Sequence, residues 1–495
     1  MKLLTFKGGI HPPYRKEYTS GKPLEIANQP KVVYIPMQQH IGAPAKPIVQ
    51  VGELVKVGQK IGEMQGFVSA NVHSSISGKV TGIKQLEVAN GMCTCVIVEN
   101  DFENELHESV KCKGTLDELS KEDIIEIIKE AGIVGMGGAT FPTHVKISPP
   151  PGKNIDFVIL NGAECEPYLT ADHKLMTENP EDVVFGLRAL MKALDVEKGY
   201  IGIEANKPDA IEAITKVADQ YSNIEVVGLE VKYPQGAEKQ LIYACTKREV
   251  PSGGLPMDSG VVVNNVGTAA QIAKTIKTGM PLIERITTVT GSCIQNPKNL
   301  VIKVGTLFSE IIEQCGGFKE DKNVGKIIMG GPMMGIAQYT TNIPANKGTS
   351  GILCLDEEES KTPKAQNCLR CGKCLDICPA LLQPLYISAY SLRTSEDTAP
   401  ILPPKERSST LAFAFSISEF KNSYDYEKLG KYADYLFLMA YDEHSQGGEC
   451  DRCHGKVVQE ERWVWFLKMK EYSEKLLGNI DRINMNENLK ELQRN

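Results

Sequence analysis

Fourteen cysteines lie along the 495 residues, and four of them fall in one run, Cys368-x-x-Cys371-x-x-Cys374-x-x-x-Cys378-Pro379. Thiolates two residues apart on tight turns converge on one cubane, so this is the spacing of a [4Fe-4S] ligand set, which passes electrons singly. Gly372 relieves crowding in the turn, and Pro379 sends the chain away. In two-cluster arrangements the cysteine before the proline serves the other cluster, whose remaining ligands come from a second such run. This sequence has no second run. The expectation is therefore one cluster, on Cys368, Cys371, Cys374 and Cys378, or two if the tail beyond residue 393 is misassigned.

A glycine-rich stretch offers a different chemistry. In Gly135-Met136-Gly137-Gly138-Ala139-Thr140-Phe141-Pro142-Thr143, successive amides without obstructing side chains can surround a phosphate, and Lys146 adds charge nearby. Alone, such a loop is equally well explained as a plain turn. Two further elements accompany it. Residues 157–160 read as a buried strand running into Asn161-Gly162-Ala163-Glu164-Cys165-Glu166-Pro167. Val261-Val262-Val263-Asn264-Asn265-Val266-Gly267-Thr268 again ends an apolar strand in hydrogen-bonding residues before a helix.

Those strand ends need a sheet to hold them. Strands at 156–160, 200–203 and 224–231 alternate with helices at 181–195, 208–221 and 236–245. An earlier helix at 115–134 carries Ile124, Ile125, Ile127, Ile128 and Ile133 on its apolar side. Such alternation implies a parallel sheet with crossover helices, and ligands of such sheets bind beyond the carboxyl ends of the strands. Residues 48–83 read as short Val/Ile strands punctuated by glycine, resembling the barrel-sandwich domains of biotin and lipoyl carriers. Their hairpin equivalent here, Ser69-Ala70-Asn71-Val72-His73-Ser74, has no lysine to modify, which argues for a structural or docking module with His73 packed or capping and not catalytic. Strands at 288–290 and 300–304, followed by a helix at 307–315, look like a small β-grasp unit. Residues 356–363, charged and ending in proline, read as a linker. The expected class is multidomain α/β. An N-terminal segment with the barrel-sandwich module would span 1–110, and a Rossmann-like parallel-sheet domain 111–282. An SLBB-like β-grasp unit would follow over 283–350, a linker with a ferredoxin-like iron–sulfur segment over 351–393, and an atypical tail over 394–495.

Composition narrows the partners. Lys plus Arg number 55 against 62 for Asp plus Glu, a net charge of −7, which leaves no basic excess for nucleic-acid phosphates. No apolar run reaches the roughly 18–20 residues needed to span a bilayer, the longest candidate lying around 435–441. Leu3-Leu4 is too little apolar chain for a signal-peptide centre, so the expected location is cytoplasmic.

The glycine loop with Phe141-Pro142-Thr143, the Asn161 to Pro167 turn and the Asn264-Asn265 element are similar to those of the flavin- and nicotinamide-binding subunit of respiratory complex I. Residues 1 to about 393, including the opening Phe6-Lys7-Gly8-Gly9-Ile10-His11-Pro12-Pro13, resemble the RnfC component of the Rnf ion-translocating oxidoreductases. The resemblance implies noncovalent FMN, with Gly135, Gly137, Gly138 and Lys146 near its phosphate end and Asn161, Asn264, Asn265 and Thr268 at its polar groups. It implies that Glu164, Glu166, Gly236 and Glu238 line the NAD(H) side. Gly236-Ala237-Glu238 matches the family's Gly-Glu-Glu turn only in part, and Ala163 stands where the complex I relative has an aspartate. No acid–base residue is assigned to the hydride step. NAD(H) exchanges electron pairs and a cluster single electrons, so a flavin is the converter between them. The implied partners are the other Rnf subunits, integral membrane ones and a ferredoxin-like iron–sulfur subunit among them. The implied place is peripheral, on the cytoplasmic side of the cell membrane, and the implied reaction is ferredoxin:NAD+ oxidoreduction coupled to ion export. A flavin and iron–sulfur cobalamin reductase would share these motifs, and an iron–sulfur scaffold with an inactive flavin site is the nonenzymatic rival.

Cys93-x-Cys95 alternates within a strand pattern and reads as core packing. Cys112, Cys245, Cys293, Cys315 and Cys354 have no partner spacing. In the tail, residues 429–444 look like one strand of a chitinase-like barrel without its paired carboxylates. Cys450-x-x-Cys453-His454 matches a haem attachment pattern but reads as half a metal knuckle or an incidental pair.

Overall fold

The computed structural model describes residues 2–361, then 368–369, 371–380, 382 and 384, and the backbone segments 449–450, 455–459 and 465–469. The chain divides into two units, Met1–Lys361 and Thr362–Asn495.

Within the first unit, an antiparallel sheet of Val32–Pro36, Gly91–Asn100, Gly78–Val88 and Leu54–Val55 and a sheet of Lys46–Pro47, Lys60–Glu63 and Val72–His73 form the barrel-sandwich module. Period-two alternation works here as expected: Val33, Ile35, Ile61, Val72, Val80, Val96 and Val98 share one core. The hairpin that carriers display to solvent is turned inward, with Ser69, Asn71 and Ser74 buried. His73 is buried too, and desolvation holds its imidazole well below the usual pKa, hence neutral.

Eight helices follow, α1 (Lys121–Glu130), α2 (Thr143–Lys146), α3 (Ala171–Glu178), α4 (Pro180–Leu194), α5 (Pro208–Ala218), α6 (Glu238–Thr246), α7 (Val266–Thr278) and α8 (Phe308–Gln314). The helix expected over 115–134 is only α1. It begins at a capping box in which Ser120 Oγ accepts from the Asp123 amide at 3.1 Å and Asp123 answers to the Ser120 amide. The first seven helices surround a four-stranded parallel sheet in the spatial order Ile224–Leu229, Lys198–Glu204, Phe157–Gly162, Val261–Asn265. Numbered along the chain this order is 3-2-1-4, so successive crossovers part on either side of Phe157–Gly162 and open a crevice between it and Val261–Asn265. Buried apolar side chains fill the sheet on both faces: Val158, Leu160, Ile201 and Ile203 on one, and Ile159, Leu229, Val261 and Val263 on the other. The N-terminal segment runs along this sheet, with Leu4 bridging Leu229 and Ile10 bridging Tyr233.

A six-stranded mixed sheet completes the first unit, in the order Leu24–Ile26, Lys298–Lys303, Glu284–Thr290, Gly351–Asp356, Val324–Met329, Ile336–Gln338. Two of its strands come from outside the span 283–350. Leu24–Ile26 pairs in parallel with Lys298–Lys303. Gly351–Asp356 lies beyond the expected boundary at 350, as an interior strand with Ile352, Leu353 and Cys354 fully buried, where a linker was expected to begin. The apolar run before Glu357 outweighs the charged residues after it.

In the second unit Lys373–Ile377 is a short helix entered through Gly372 at φ 77°. Glu449–Cys450, Gly455–Gln459 and Trp465–Met469 form an antiparallel meander. The chitinase-like stretch, Cys453 and His454 lie outside the described residues. Among the described residues no helix is long and apolar enough to cross a membrane.

Candidate functional site at the sheet switch point

The crevice between Phe157–Gly162 and Val261–Asn265 is where the expected residues meet. Asn161 and Asn265 are register partners at the carboxyl ends of the two strands, and the glycine loop lies over them. A Cβ on Gly137 would come to 3.0 Å from Asn265 Nδ2, so the loop sits in close contact with the strand end and a side chain there would need Asn265 to shift by a few tenths of an ångström. Gly138 has φ +84° with open space on its Cβ side, a conformation costly for any L side chain. Gly135 is less constrained, with only ordinary contact around its Cβ position. Thr268 Oγ1 accepts from the Met136 amide at 2.9 Å, and buried Arg285 donates Nη2 to the Met136 carbonyl. The loop is therefore pinned at both main-chain atoms of one residue.

Most of the expected ligand contacts spend their polar atoms on shaping this site. Asn161 Nδ2 donates to the Gly236 carbonyl at 2.8 Å while its Oδ1 accepts from the Ala163 amide at 3.2 Å, which ties two turns together. Asn265 caps α7 by accepting from the Gly267 amide at 2.8 Å and donates to Asp172 at 2.7 Å. Glu164, held at φ 46°, accepts from the amides of Asp172 at 2.7 Å and His173 at 3.2 Å, in the first turn of α3. Lys146 and Glu238 pair with each other at 2.6 Å, both about a third exposed. Asn264 differs: its Nδ2 is buried with no partner, an amide donor available to a ligand in the crevice.

Glu166 reaches the 330–335 loop of the β-grasp sheet. Its Oε2 accepts from the Met333 amide at 3.1 Å, and its Oε1 is buried with no partner. Desolvation pushes this carboxyl up to about 7. Gly331 lets the carboxylate in, since a Cβ there would fall 2.2 Å from Oε2. Cys165, between the two glutamates, accepts from the Gly236 amide at 3.3 Å, and burial raises its thiol to about 12. It packs the turn and is not a nucleophile.

Four charged residues absent from the expected set hold this turn. Lys16 donates to three main-chain carbonyls, those of Glu164 at 2.8 Å, Glu166 at 3.0 Å and Leu169 at 2.5 Å. Lys207, fully buried, donates to the Ala163 carbonyl at 2.6 Å and to Glu204 at 3.3 Å. Asp172 is raised to about 6 by burial and then by Glu164, and Arg285 opposes that shift. Lys16, Lys207 and Arg285 each reach a main-chain carbonyl at least about 40 residues away, and no local motif marks any of the four.

The cysteine run carries the right donors without a shared centre. Cys368 and Cys371 are exposed and Cys378 is buried, its Sγ accepting from the Leu382 amide at 3.4 Å. Among the described residues no group of three or more His, Cys, Asp or Glu is close enough to hold a metal ion. The donor chemistry itself, four thiols with a left-handed glycine turn between the second and third, fits an iron–sulfur cluster.

Comparison with known proteins matches this architecture. A Nuo51 FMN-binding domain model matches residues 128–274, an RnfC barrel sandwich hybrid domain model 4–103, and an SLBB domain model 286–337. The C component of the Na(+)-translocating ferredoxin:NAD(+) oxidoreductase complex of Acetobacterium woodii is 55% identical over 79% of this chain and 88% of its own length. The C component of the proton-translocating ferredoxin:NAD(+) oxidoreductase complex of Clostridium ljungdahlii is 52% identical over 78% and 84%. That of the ion-translocating oxidoreductase complex of Rhodobacter capsulatus is 38% identical over 79% and 75%.

Proposed function

The chain belongs to the RnfC family, the C components of ion-translocating ferredoxin:NAD+ oxidoreductase complexes, and from that membership we propose that it passes electrons between an iron–sulfur centre and NAD(H) through FMN. The observation that carries this reading is the switch-point crevice, where a pinned glycine loop, the Asn161–Asn265 pair and the unpartnered Asn264 amide meet. An FMN-binding domain model covers that crevice.

The residues fit the cofactor. Gly137 and Gly138 leave main-chain approach open for its phosphate, Lys146 supplies charge, and Asn264 offers a buried donor to its ring system. FMN when bound would accept hydride from NADH and release electrons singly. The protein's own work is orientation and exclusion of water, by the glycine loop on one side and the Glu164–Glu166 turn on the other. Cys368, Cys371, Cys374 and Cys378 would hold one [4Fe-4S] cluster as the other terminus. Integral membrane subunits and a ferredoxin-like subunit would dock this chain peripherally on the cytoplasmic face. Anaerobic purification with flavin, iron and sulfide analysis tests the reading. Bound FMN bleached by NADH is expected, and a reconstituted chain with neither flavin absorbance nor NADH turnover would sink it.

A further inference from the structure

We propose that Lys16 is a positioning residue that places a buried positive charge, held by main-chain carbonyls and in contact with no carboxylate, beneath the cofactor turn and thereby raises the reduction potential of the bound flavin. The inference rests on the flavin reading above and goes beyond it, because no motif for FMN or NAD(H) includes the N-terminal segment.

The geometry is specific. The Lys16 side chain crosses about 150 positions of sequence to reach the turn, and its three ammonium protons go to the carbonyls of Glu164, Glu166 and Leu169. An ammonium has three donors, so none is left for a carboxylate. The nearby carboxylates point elsewhere: Glu164 onto the start of α3 and Glu166 onto the Met333 amide. Glu204 is engaged by Lys207. The charge is thus solvated by main-chain dipoles and not neutralised by a contact ion pair.

The segment holding Lys16 is fixed on both sides. The Tyr168 amide donates to the Tyr14 carbonyl at 2.7 Å, Tyr18 stacks on Tyr168 with ring centroids 6.0 Å apart, and Thr19 and Thr170 share a hydroxyl contact of 2.6 Å. The charged and titratable groups around the ammonium are Glu164, Lys207, Glu204, Cys165 and Glu166, and Glu164 and Glu204 offset its charge in part without touching it. Burial brings its pKa down to about 8, which leaves it mainly cationic at neutral pH. A lone hydrogen-bonding role would be met by a neutral donor. Burying an ammonium is costly unless the charge is used.

The turn that Lys16 holds continues directly from Asn161 at the switch point. Hydride transfer from NADH to FMN moves two electrons and one proton together, leaving NAD+ and a flavin with one more negative charge. A fixed cation in a low-dielectric wall favours that product.

The test is anaerobic redox titration of the full-length, flavin-loaded chain, comparing wild type with Lys16→Met and Lys16→Arg. Lys16→Met should lower the ratio of reduced to oxidised flavin at fixed potential about tenfold, a downward shift of about 30 mV for a two-electron couple. Lys16→Arg should restore the wild-type value even where NADH binding is weakened. Lys16→Gln, which keeps two of the three donors without the charge, replaces the methionine variant should that one not retain flavin. A wild-type potential in either flavin-loaded uncharged variant overturns the proposal, and so does loss of flavin from both, which would make the lysine purely structural. Absence of flavin from the wild-type chain would instead overturn the functional reading on which it rests.

Discussion

The two candidate redox sites of this chain differ in what the polypeptide alone determines. At the switch point nearly every polar atom is already placed by another part of the fold: the glycine loop by Thr268 and Arg285, the acidic turn by Lys16 and Lys207, and Asn265 by the helix it caps. In the cysteine run the ligand types and spacing are complete, yet the described thiols share no centre. A site made of backbone and buried hydrogen bonds is a product of folding. A thiolate cluster site is completed by its metal, whose binding energy organises the ligands. One is read from geometry and the other from spacing.

The sharpest way to break that contrast is to remove one ligand. Cys371→Ala should abolish the cluster, taking about four irons per chain to none, while flavin content and NADH oxidation with an artificial acceptor persist. Loss of both cofactors together would show that the crevice depends on the cysteine segment. About eight irons on a chain of this sequence would defeat the one-cluster assignment, because it offers no second run at this spacing.

Glu166 sharpens the comparison from the folded side. Its carboxyl pKa is raised by burial to about 7, above the unfolded value, so the protonated form stabilises the fold. That contribution is fully present below about pH 4.5 and is lost as pH rises through 7. The isosteric Glu166→Gln should therefore gain stability over wild type above neutrality, by up to about 3 kcal/mol at pH 8, with little difference at pH 5. Thermal denaturation at the two pH values measures it. An equal difference at both would mean the carboxylate has a charged partner that the 330–335 loop does not supply.

Gly138→Ala tests whether the loop is preformed. At φ +84° an alanine costs about 1–2 kcal/mol, and in a loop already shaped in the free protein that cost falls on folding, so thermal stability should drop by about that amount while FMN affinity, followed by quenching of flavin fluorescence, is unchanged. An affinity about tenfold weaker would mean that the loop takes its strained shape only on binding.

What the sequence disclosed follows the same division. Apolar runs ending in Asn161 and Asn264-Asn265 announced the parallel strands whose carboxyl ends meet at the switch point, and glycine spacing announced the loop. The barrel-sandwich core was legible because its valines alternate. Helix α3 was missed because Ala171-Asp172-His173-Lys174-Leu175-Met176 has no clear apolar stripe; it is held by Glu164 from outside. The strand Gly351–Asp356 was hidden by the charged residues beside it. Lys16, Lys207 and Arg285 were invisible for a deeper reason. Each stands alone in its own segment, and what it does is defined by carbonyls between about 40 and 150 residues away, which only the fold brings near.

The smallest expected effect concerns the ion pair at the mouth of the crevice. Lys146 and Glu238 are 28% and 31% exposed and 2.6 Å apart, so solvent screens them and their pairing contributes about 0.2–1 kcal/mol to stability. Both belong to the implied cofactor set, and the phosphate of FMN and the carboxylate of Glu238 would compete for one ammonium. Glu238→Gln keeps the side chain's length while withdrawing the competing charge. Stability should hold within about 1 kcal/mol, and FMN should bind more tightly, by at most about fivefold, the ceiling that a screened pair of this strength allows. The gain should shrink as salt is raised through about 0.15 M, where the Debye length is about 8 Å. Titration of flavin at two ionic strengths reads it. Weaker FMN binding in the variant would place Glu238 among the groups that touch the flavin, and the ion pair would then organise the site instead of competing with it.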